Sequence, residues 1–540
     1  MAYPFIKSTF ARRFFLMKQT GLISHLFNFT TTLVALVVAG LGLAAAPALA
    51  QSPAPEVRAM WVSRFEWPSS NQATAKANID NIMQKLKDNN FNTVLFQVRG
   101  QCDVHYPSPY EPWSDTYNWT NPGWDPLAYA INAAHSRGLK FHAYINTHTL
   151  SGPIPPSNTV PQHQYNLHGP NVPLAQSWLI RDDQGITNTS DSYRWISPGI
   201  PEASWWTRRE IMHIVKNYDV DGVHFDRIRT PGPGYSHDAI TEARFTGDGN
   251  PDSLTWGDFM RRQITNDLRN IYGEIMLNKP WVEVSAAPFG IVYKDSTTLY
   301  QGTGTQSQKE WYQDSWAWME NHVVDFMVPQ IYWEVGSSHP FELLLADWQA
   351  RSFGRGVVAG STTNGAAKSV SALLAENAQT RLQSAMGHCI FSVSSMDNYW
   401  TSFKTQRYDQ PTTVPDMPWK SAPTLGAVVG YVVDIQGNPV VDAKINLTGD
   451  ARNYLSAHDG FFAVLDVETT HPAQLHASKA GVGEATVANV TVIPGRATDI
   501  TLVLRNSRGV VSFDRDAYDA FQRRSFRTGA YTHRDLARQR

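Results

Sequence analysis

Cysteine is nearly absent: the 540 residues hold two, Cys102 and Cys389. No disulfide framework therefore shapes the fold, and with neither CxxC nor HExxH there is no zinc-type signature. An excess of one charge is also lacking. The formal net charge of −2 excludes the basic footprint that tracks a nucleic-acid backbone, and the acidic excess of a disordered chain. Nothing in the chain calls for a cofactor. Long apolar runs are confined to one place, "LVALVVAGLGLAAAPALA" at residues 33–50, ending in the small-x-small triplet Ala48-Leu49-Ala50. Residues 1–50 read as a cleaved export signal, with Gln51 opening the mature protein. The expected location is periplasmic, cell-surface or secreted, off the membrane once the signal is cut. An uncleaved anchor is the alternative, for which the run is short.

With 42% hydrophobic residues, the chain can bury a large domain and a smaller one. From Arg58 onward, β-branched and aromatic runs alternate with amphipathic stretches. Eight strands are expected, at 58–65, 92–98, 140–145, 221–226, 282–287, 324–332, 356–360 and 389–394. Between them lie helices such as 74–90, where Ile79, Ile82, Met83 and Leu86 recur at helical spacing, and 125–137, opened by Asp125-Pro126 as cap and first turn. Strand–helix repeated eight times predicts an α/β fold, a (β/α)8 TIM-type barrel over 56–410. A long insertion, 147–201, follows the third strand, where such barrels build the mouth of the active site. Helical periodicity vanishes after Pro411. Residues 425–505 read as a small all-β sandwich, with turns at Gly437-Asn438-Pro439 and Asp459-Gly460, followed by an arginine-rich tail, 506–540.

Side chains alternate faces along a strand, so in "DGVHFD" His224 and Asp226 share one face. A charged group on the interior face at the last strand position belongs to the open, C-terminal rim, where these barrels keep catalytic groups. Other strand ends bring Gln97 and Arg99, then His142, Tyr144 and Asn146, then Gln330, Tyr332 and Glu334, with Glu66 just past the first strand. Two carboxylates across a cleft suit glycosidic cleavage, one protonating the leaving oxygen and the other attacking the anomeric carbon or activating water. Asp226 is the expected nucleophile or base, and Glu66 or Glu334 the proton donor. Arg99, His142, Asn146, His224, Gln330 and Tyr332 are expected to bind substrate, the histidines as hydrogen-bonding groups and not proton carriers. Trp67 and Trp333, with Trp61, Trp113, Trp119 and Trp195 near the same rim, offer flat surfaces for sugar rings. The plain structural reading of Asp226 is an ion pair with Arg227, Arg229 or Arg99.

The blocks "MWVSRFEWP", "NTVLFQVRG", "YEPWSD", "DPLAYAINAAHSRGLKFHAYIN", "SPGIPEA", "DVDGVHFDRIRTPG", "SAAPFG" and "VDFMVPQIYW" together resemble the glycosyl-hydrolase-like 10 family over residues 56–400. The resemblance implies a TIM-type barrel and an exported glycosidase acting on cell-wall glycan. It implies Asp226 as the characteristic strand-end acid, Glu66 at a position where relatives also carry an acid, and Asn146, Gln330 and Tyr332 in rim motifs. Arg227 stands where many relatives have a second acid, and Glu334 has no dependable counterpart. Residues 425–505 resemble carboxypeptidase-regulatory-like sandwiches, through "GYVVDIQGNPVVDAKINL" and "SAHDGFFAVLDV", which implies an accessory module without peptidase activity.

The leading expectation is thus an exported glycoside hydrolase on peptidoglycan or another polysaccharide, its glycan strands stripped of peptide or not, with no nucleic-acid partner. A glycan-binding protein on a degenerate barrel is the second reading. A metal-dependent hydrolase using His142, His224, Asp226 and Asp397 is the third, weakened by the missing H-x-H on the first strand.

Overall fold

A computed structural model describes residues 53–187, 191–364 and 368–506. The expected export signal at 1–50 and the tail beyond Asn506 lie outside the described residues. Eight parallel strands close into a barrel: β1 (Val57–Val62), β2 (Thr93–Arg99), β3 (Lys140–Asn146), β4 (Gly222–Asp226), β5 (Glu283–Ala286), β6 (Phe326–Met327), β7 (Gly356–Thr362) and β8 (Gly387–Phe391). Each neighbour pairs in parallel and β8 returns to β1. Around them run α1 (Gln72–Asp88), α2 (Pro126–His135), α3 (Pro201–Asn217), α4 (Trp256–Asn278), α5 (Ser315–Glu320), α6 (Phe341–Ala350), α7 (Val370–Leu382) and α8 (Trp400–Gln406).

Local chemistry explains these boundaries. The Asn71 side chain accepts from the Thr74 amide to start α1, and Asp125 does the same for Ala128 ahead of Pro126 at α2. On α1 the buried positions are Ala75, Ile79, Ile82, Met83 and Leu86, one stripe facing the strands. Alternate residues of β1 part company: Met60 and Val62 join the core beneath the helices, while Val57, Ala59 and Trp61 join a separate cluster with Tyr144, Phe326, Val358 and Cys389 inside the barrel. Cys102 and Cys389 are both free and buried.

The sixth strand is much shorter than the expected 324–332. Only Phe326 and Met327 join the ladder, because Pro329 has no amide to donate and the chain beyond it continues by isolated bridges from Gln330 to Phe289 and Gly360. Within the insertion, Thr149–Ser151 and Arg194–Trp195 pair as a short antiparallel ribbon beside the β3 and β4 ends.

The C-terminal region forms two sheets, one ordered β12-β9-β15 and one β11-β10-β13-β14. Their strands are β9 (Leu425–Val433), β10 (Lys444–Leu447), β11 (Tyr454–Leu455), β12 (Phe461–Glu468), β13 (Ala473–Lys479), β14 (Gly483–Val490) and β15 (Ala497–Val503). Its own core includes Val428, Val432, Phe462, Val464, Leu475 and Leu502. The opposite face of the first sheet, with Ala427, Val429, Phe461, Ala463 and Leu465, joins the core that underlies the barrel helices. At this seam Gly273 of α4 matters: a Cβ there would lie 2.5 Å from the Ala463 Cβ. Polar bonds frame it, with Arg244 making two hydrogen bonds to Asp442 at 2.9 and 2.5 Å and Arg208 one to Asp459 at 2.6 Å.

Candidate active site

The rim is built where β3 and β4 end side by side. Asn146 pairs with Asp226, and Tyr144 with His224, so each pair shares a face. Asp226 Oδ2 accepts from the Tyr144 hydroxyl at 2.7 Å, and Oδ1 accepts from the amide of Arg227 at 2.7 Å. Burial pushes the Tyr144 hydroxyl well above its usual range and the adjacent Asp226 charge pushes it further, so it stays a donor. Burial and the same aspartate also raise Tyr332, which lies face to face with Phe391 at 6.4 Å. Asp226 is thus a partly buried carboxylate held at both oxygens, at the end of the fourth strand, where the sequence pattern puts it.

Several rim groups around it are unspent. Asn146 Oδ1 and Thr147 Oγ1 are buried and have no partner among the described residues. Gln330 makes one long bond, to the Ala287 carbonyl at 3.4 Å. Trp333 is half-buried, stacked on His339 at 4.7 Å. Glu334, two residues beyond Tyr332, is exposed.

Four expected substrate contacts fall inside the fold. Arg99 is fully buried; it gives two hydrogen bonds to Glu111, at 2.8 and 2.7 Å, and one to the Asn146 carbonyl at 2.5 Å. Burial opposes its charge, but Glu111 more than offsets this and raises its pKa. It braces the rim from beneath and does not pair with Asp226. His224 is sealed between Trp61, which donates to Nε2 at 2.9 Å, and the Ser285 hydroxyl at 2.9 Å from Nδ1. Burial, then His142, lowers its pKa well below the usual value, so it is a neutral interior strut. His142 is buried one layer deeper, 3.3 Å from Glu283; a Cβ at Gly222 would meet its Nδ1 at 2.4 Å, so only glycine leaves it room. Burial works against Glu283's ionisation, yet His142 and Lys140 more than offset it and bring its pKa down to about 2. Trp67 has no exposed surface, packs on Phe96 and donates to the Gln97 carbonyl, so it is no sugar platform. Trp61, Trp113 and Trp195 are buried as well. Apolar rings find more area inside this barrel than at its mouth.

Glu66 has a different task from the one expected. Its Oε2 accepts from the Ser63 amide at 2.5 Å, and Oε1 from the Ser392 hydroxyl at 2.6 Å and the Ser394 amide at 2.9 Å. Both oxygens are used to clasp the β1 and β8 loops. Asp397 makes an exposed ion pair with Lys85 at 3.3 Å, so the four residues of the metal reading do not gather.

Asp191 enters the rim although residue patterns alone had not singled it out. Asp191 in the insertion takes Arg227 at 2.6 Å, the Trp195 indole at 3.1 Å and the Tyr193 amide at 3.2 Å, tying the ribbon to the residue that follows Asp226. Arg229 lies against Trp195, Phe289 and Trp311, its guanidinium carbon 4.9, 4.9 and 4.3 Å from the ring centres. Tyr144 shares the parity of Asn146 at the strand end where the sequence pattern put it, and its bond to Asp226 gives it a task the pattern did not assign. A cavity of about 1280 Å³ opens at the other end of the barrel, between Lys140, Glu283, Trp281 and the linker near Trp419; none of the rim groups line it.

A model of the family described as glycosyl hydrolase-like 10 matches residues 56–374, which hold the first seven barrel strands and the rim carboxylates Glu66, Asp226 and Glu334. The chain belongs to that family. The new family member is a glycoside hydrolase, and its residues 427–505 match a carboxypeptidase regulatory-like domain. Glycosyl hydrolase YngK of Bacillus subtilis is 26% identical to this glycoside hydrolase over 414 residues, 71% of the chain and 78% of the relative. Glycosyl hydrolase DigH of Escherichia coli is 30% identical over 325 residues, 56% of the chain and 72% of the relative. The solved glycoside hydrolase domain of PgaB from Bordetella bronchiseptica aligns with 67% of the chain and 100% of its own length, with a TM-score of 0.50 at 14% identity, a likeness of fold.

Proposed function

We propose that this glycoside hydrolase is exported and cuts the glycan strands of peptidoglycan, with Asp226 as nucleophile or base and Glu334 as proton donor. The observation that carries the reading is the setting of Asp226: two donors orient its oxygens, and beside it Asn146 Oδ1 and Thr147 Oγ1 wait without partners. A carboxylate surrounded by donors is an acceptor, suited to attack an anomeric carbon or take a proton from water as positive charge develops on the sugar. Donating the proton falls to the other side of the cleft. Glu66 is committed at both oxygens, which leaves Glu334, beyond the Tyr332 side of the rim, as the acid. Asn146, Gln330 and Tyr332 orient hydroxyl or acetamido groups, and Trp333 supplies an apolar face. Export rests on the apolar segment at 33–50.

The test uses intact and amidase-stripped peptidoglycan with mass spectrometry of released fragments. Asp226→Asn and Glu334→Gln are each expected to lower turnover by about 10²–10⁴-fold while retaining binding, and Glu66→Gln to act through stability. NMR of the first anomer released separates nucleophile from base. Binding without release by the wild type would turn the reading toward the glycan-binding alternative, and full activity of Glu334→Gln would remove that residue as donor. Export is checked by N-terminal sequencing of the mature protein, expected to start at Gln51.

A further inference from the structure

Where β3 and β5 start, at the base of the barrel, the linker crosses the cavity of about 1280 Å³. Trp281 lines it. The residue is 61% exposed, and among the described residues it is the one exposed tryptophan of the chain's 18. Its indole meets no other ring and makes no hydrogen bond among those residues. Its backbone is nevertheless fixed, because Lys420 of the linker donates to the carbonyls on either side, Pro280 at 3.1 Å and Val282 at 3.0 Å. Phe353 and Leu425, both exposed, line the same cavity. Apolar area left in water around a cavity, on a backbone held in place, marks a contact surface.

A polar group in the wall is unspent as well. Arg355 has a side chain only 7% exposed, and its Nε and Nη1 have no hydrogen-bond partner among the described residues. Asp325 Oδ1 lies 3.9 Å from Nη1, too far to accept, and is already taken by the Tyr272 hydroxyl and the Trp419 indole, each at 2.8 Å. The guanidinium lies instead over the Trp419 ring, 4.6 Å from its centre. A buried donor without a partner costs free energy that an arriving acceptor recovers. Other charges of the wall pair among themselves: Lys140 with Glu283, Lys420 with Asp325, and His322 with Asp466. A strongly charged ligand would compete with those pairs, whereas a neutral one rich in hydroxyls would not. A preset indole face near unspent donors suits a pyranose, whose CH face stacks on a ring while its hydroxyls accept hydrogen bonds. An apolar peptide would cover Trp281 and leave Arg355 unpaired. We propose that the cavity is a second, non-catalytic saccharide site, by which the enzyme holds one strand of an insoluble polysaccharide while the rim works on another. The choice of a saccharide rests on the reading of the rim as a cutter of polymeric glycan.

The experiment titrates short amidase-stripped glycan strands into Asp226→Asn protein by calorimetry, with and without Trp281→Ala. Two sites per chain are expected, of which Trp281→Ala removes one. On insoluble peptidoglycan, Trp281→Ala in the otherwise native enzyme should lower both retention and rate by about tenfold, since a second contact on one polymer acts at high effective concentration. Its rate on short strands should not change. Trp281→Phe keeps part of the retention, and Arg355→Met lowers it. Calorimetry that finds no site dependent on Trp281 overturns the proposal. So does a Trp281→Ala variant that loses the same factor on short strands, which marks a change transmitted to the rim. Sedimentation that shows wild-type dimers and Trp281→Ala monomers gives the surface to a second copy of the chain and overturns it too. If the wild type cleaves nothing, the hydrolytic reading falls separately. Calorimetry then still decides: a saccharide site that needs Trp281 sustains the proposal, and its absence ends it.

Discussion

Glu210 carries a proton where an ordinary glutamate has none. It is buried on α3, with the Tyr106 and Ser108 hydroxyls bonded to its two oxygens at 2.6 and 2.9 Å. Burial, with Glu111 nearby, raises its pKa to about 8. In the unfolded chain it titrates near about 4.3. Between those values the folded state holds a proton that the unfolded state has released, so stability falls as pH rises through the window and levels off above it. A glutamine side chain in its place cannot ionise and resembles the neutral acid. Glu210→Gln is therefore expected to match wild type near pH 5 and exceed it near pH 8 by an amount on the order of a few kcal/mol, read from urea midpoints. Parallel curves for the two proteins would mean that the pair with Glu111 is relieved another way. Single residues were the least legible scale. Alternation and strand-end position pointed to Asp226 and Asn146, because those rules depend only on chain order. The fates of Arg99, His224 and Trp67 depend on Glu111, Trp61 and Phe96, which come from other elements and meet them only when the barrel closes.

All eight barrel strands were legible as elements, since each combines β-branched or aromatic runs with a bounding turn, and their order alone implies the closed sheet. Where strands end was less so: Pro329 interrupts the sixth, a rule of backbone donors that outweighs its apolar composition. In the sandwich, β13 and β14 carry little strand signal in the sequence, because "AQLHASK" and "GEATVANV" are small and polar, with β14 largely exposed at a sheet edge. The insertion was legible as a mouth, but not its fastening. Asp191 gathers Arg227, Trp195 and Tyr193 into one knot. Asp191→Ala would remove a charge-assisted bond and two others, leaving only the ring contacts of Arg227 and Arg229 with Tyr193 and Trp195 to tie the ribbon to the β4 end. The expected outcome is a KM raised about tenfold, with a smaller change in kcat. Faster limited proteolysis within 178–196 should accompany it. Unchanged KM and cleavage rate would show that the ribbon is held by its packing alone.

The barrel and sandwich were legible as separate modules, and their seam was not, because no local pattern announces which face of a sheet will meet which helix. The first sandwich sheet contributes Ala427, Val429, Phe461, Ala463 and Leu465 to the core that lies under the barrel helices, so the boundary in sequence is not a boundary in packing. Such an apolar seam, unlike the more polar contacts common between domains, should make the two unfold together. Gly273 is the point at which this can be tested. On α4 it faces Ala463, and any Cβ would come 2.5 Å from that residue's Cβ and 3.1 Å from Val429 Cγ1. Helix and sheet backbones cannot yield by that much without opening the seam. Gly273→Leu should cost at least about 1–3 kcal/mol from overpacking, although leucine is intrinsically the better helix former by roughly 0.8 kcal/mol. Calorimetry is expected to show one transition in wild type and two in the variant, with the linker at 411–424 cleaved faster by protease. Two transitions already present in the wild type would mean that the shared core, though continuous, does not couple the modules. In that case the sandwich would be held by the Arg244–Asp442 and Arg208–Asp459 pairs, and raising salt rather than adding a side chain would release it.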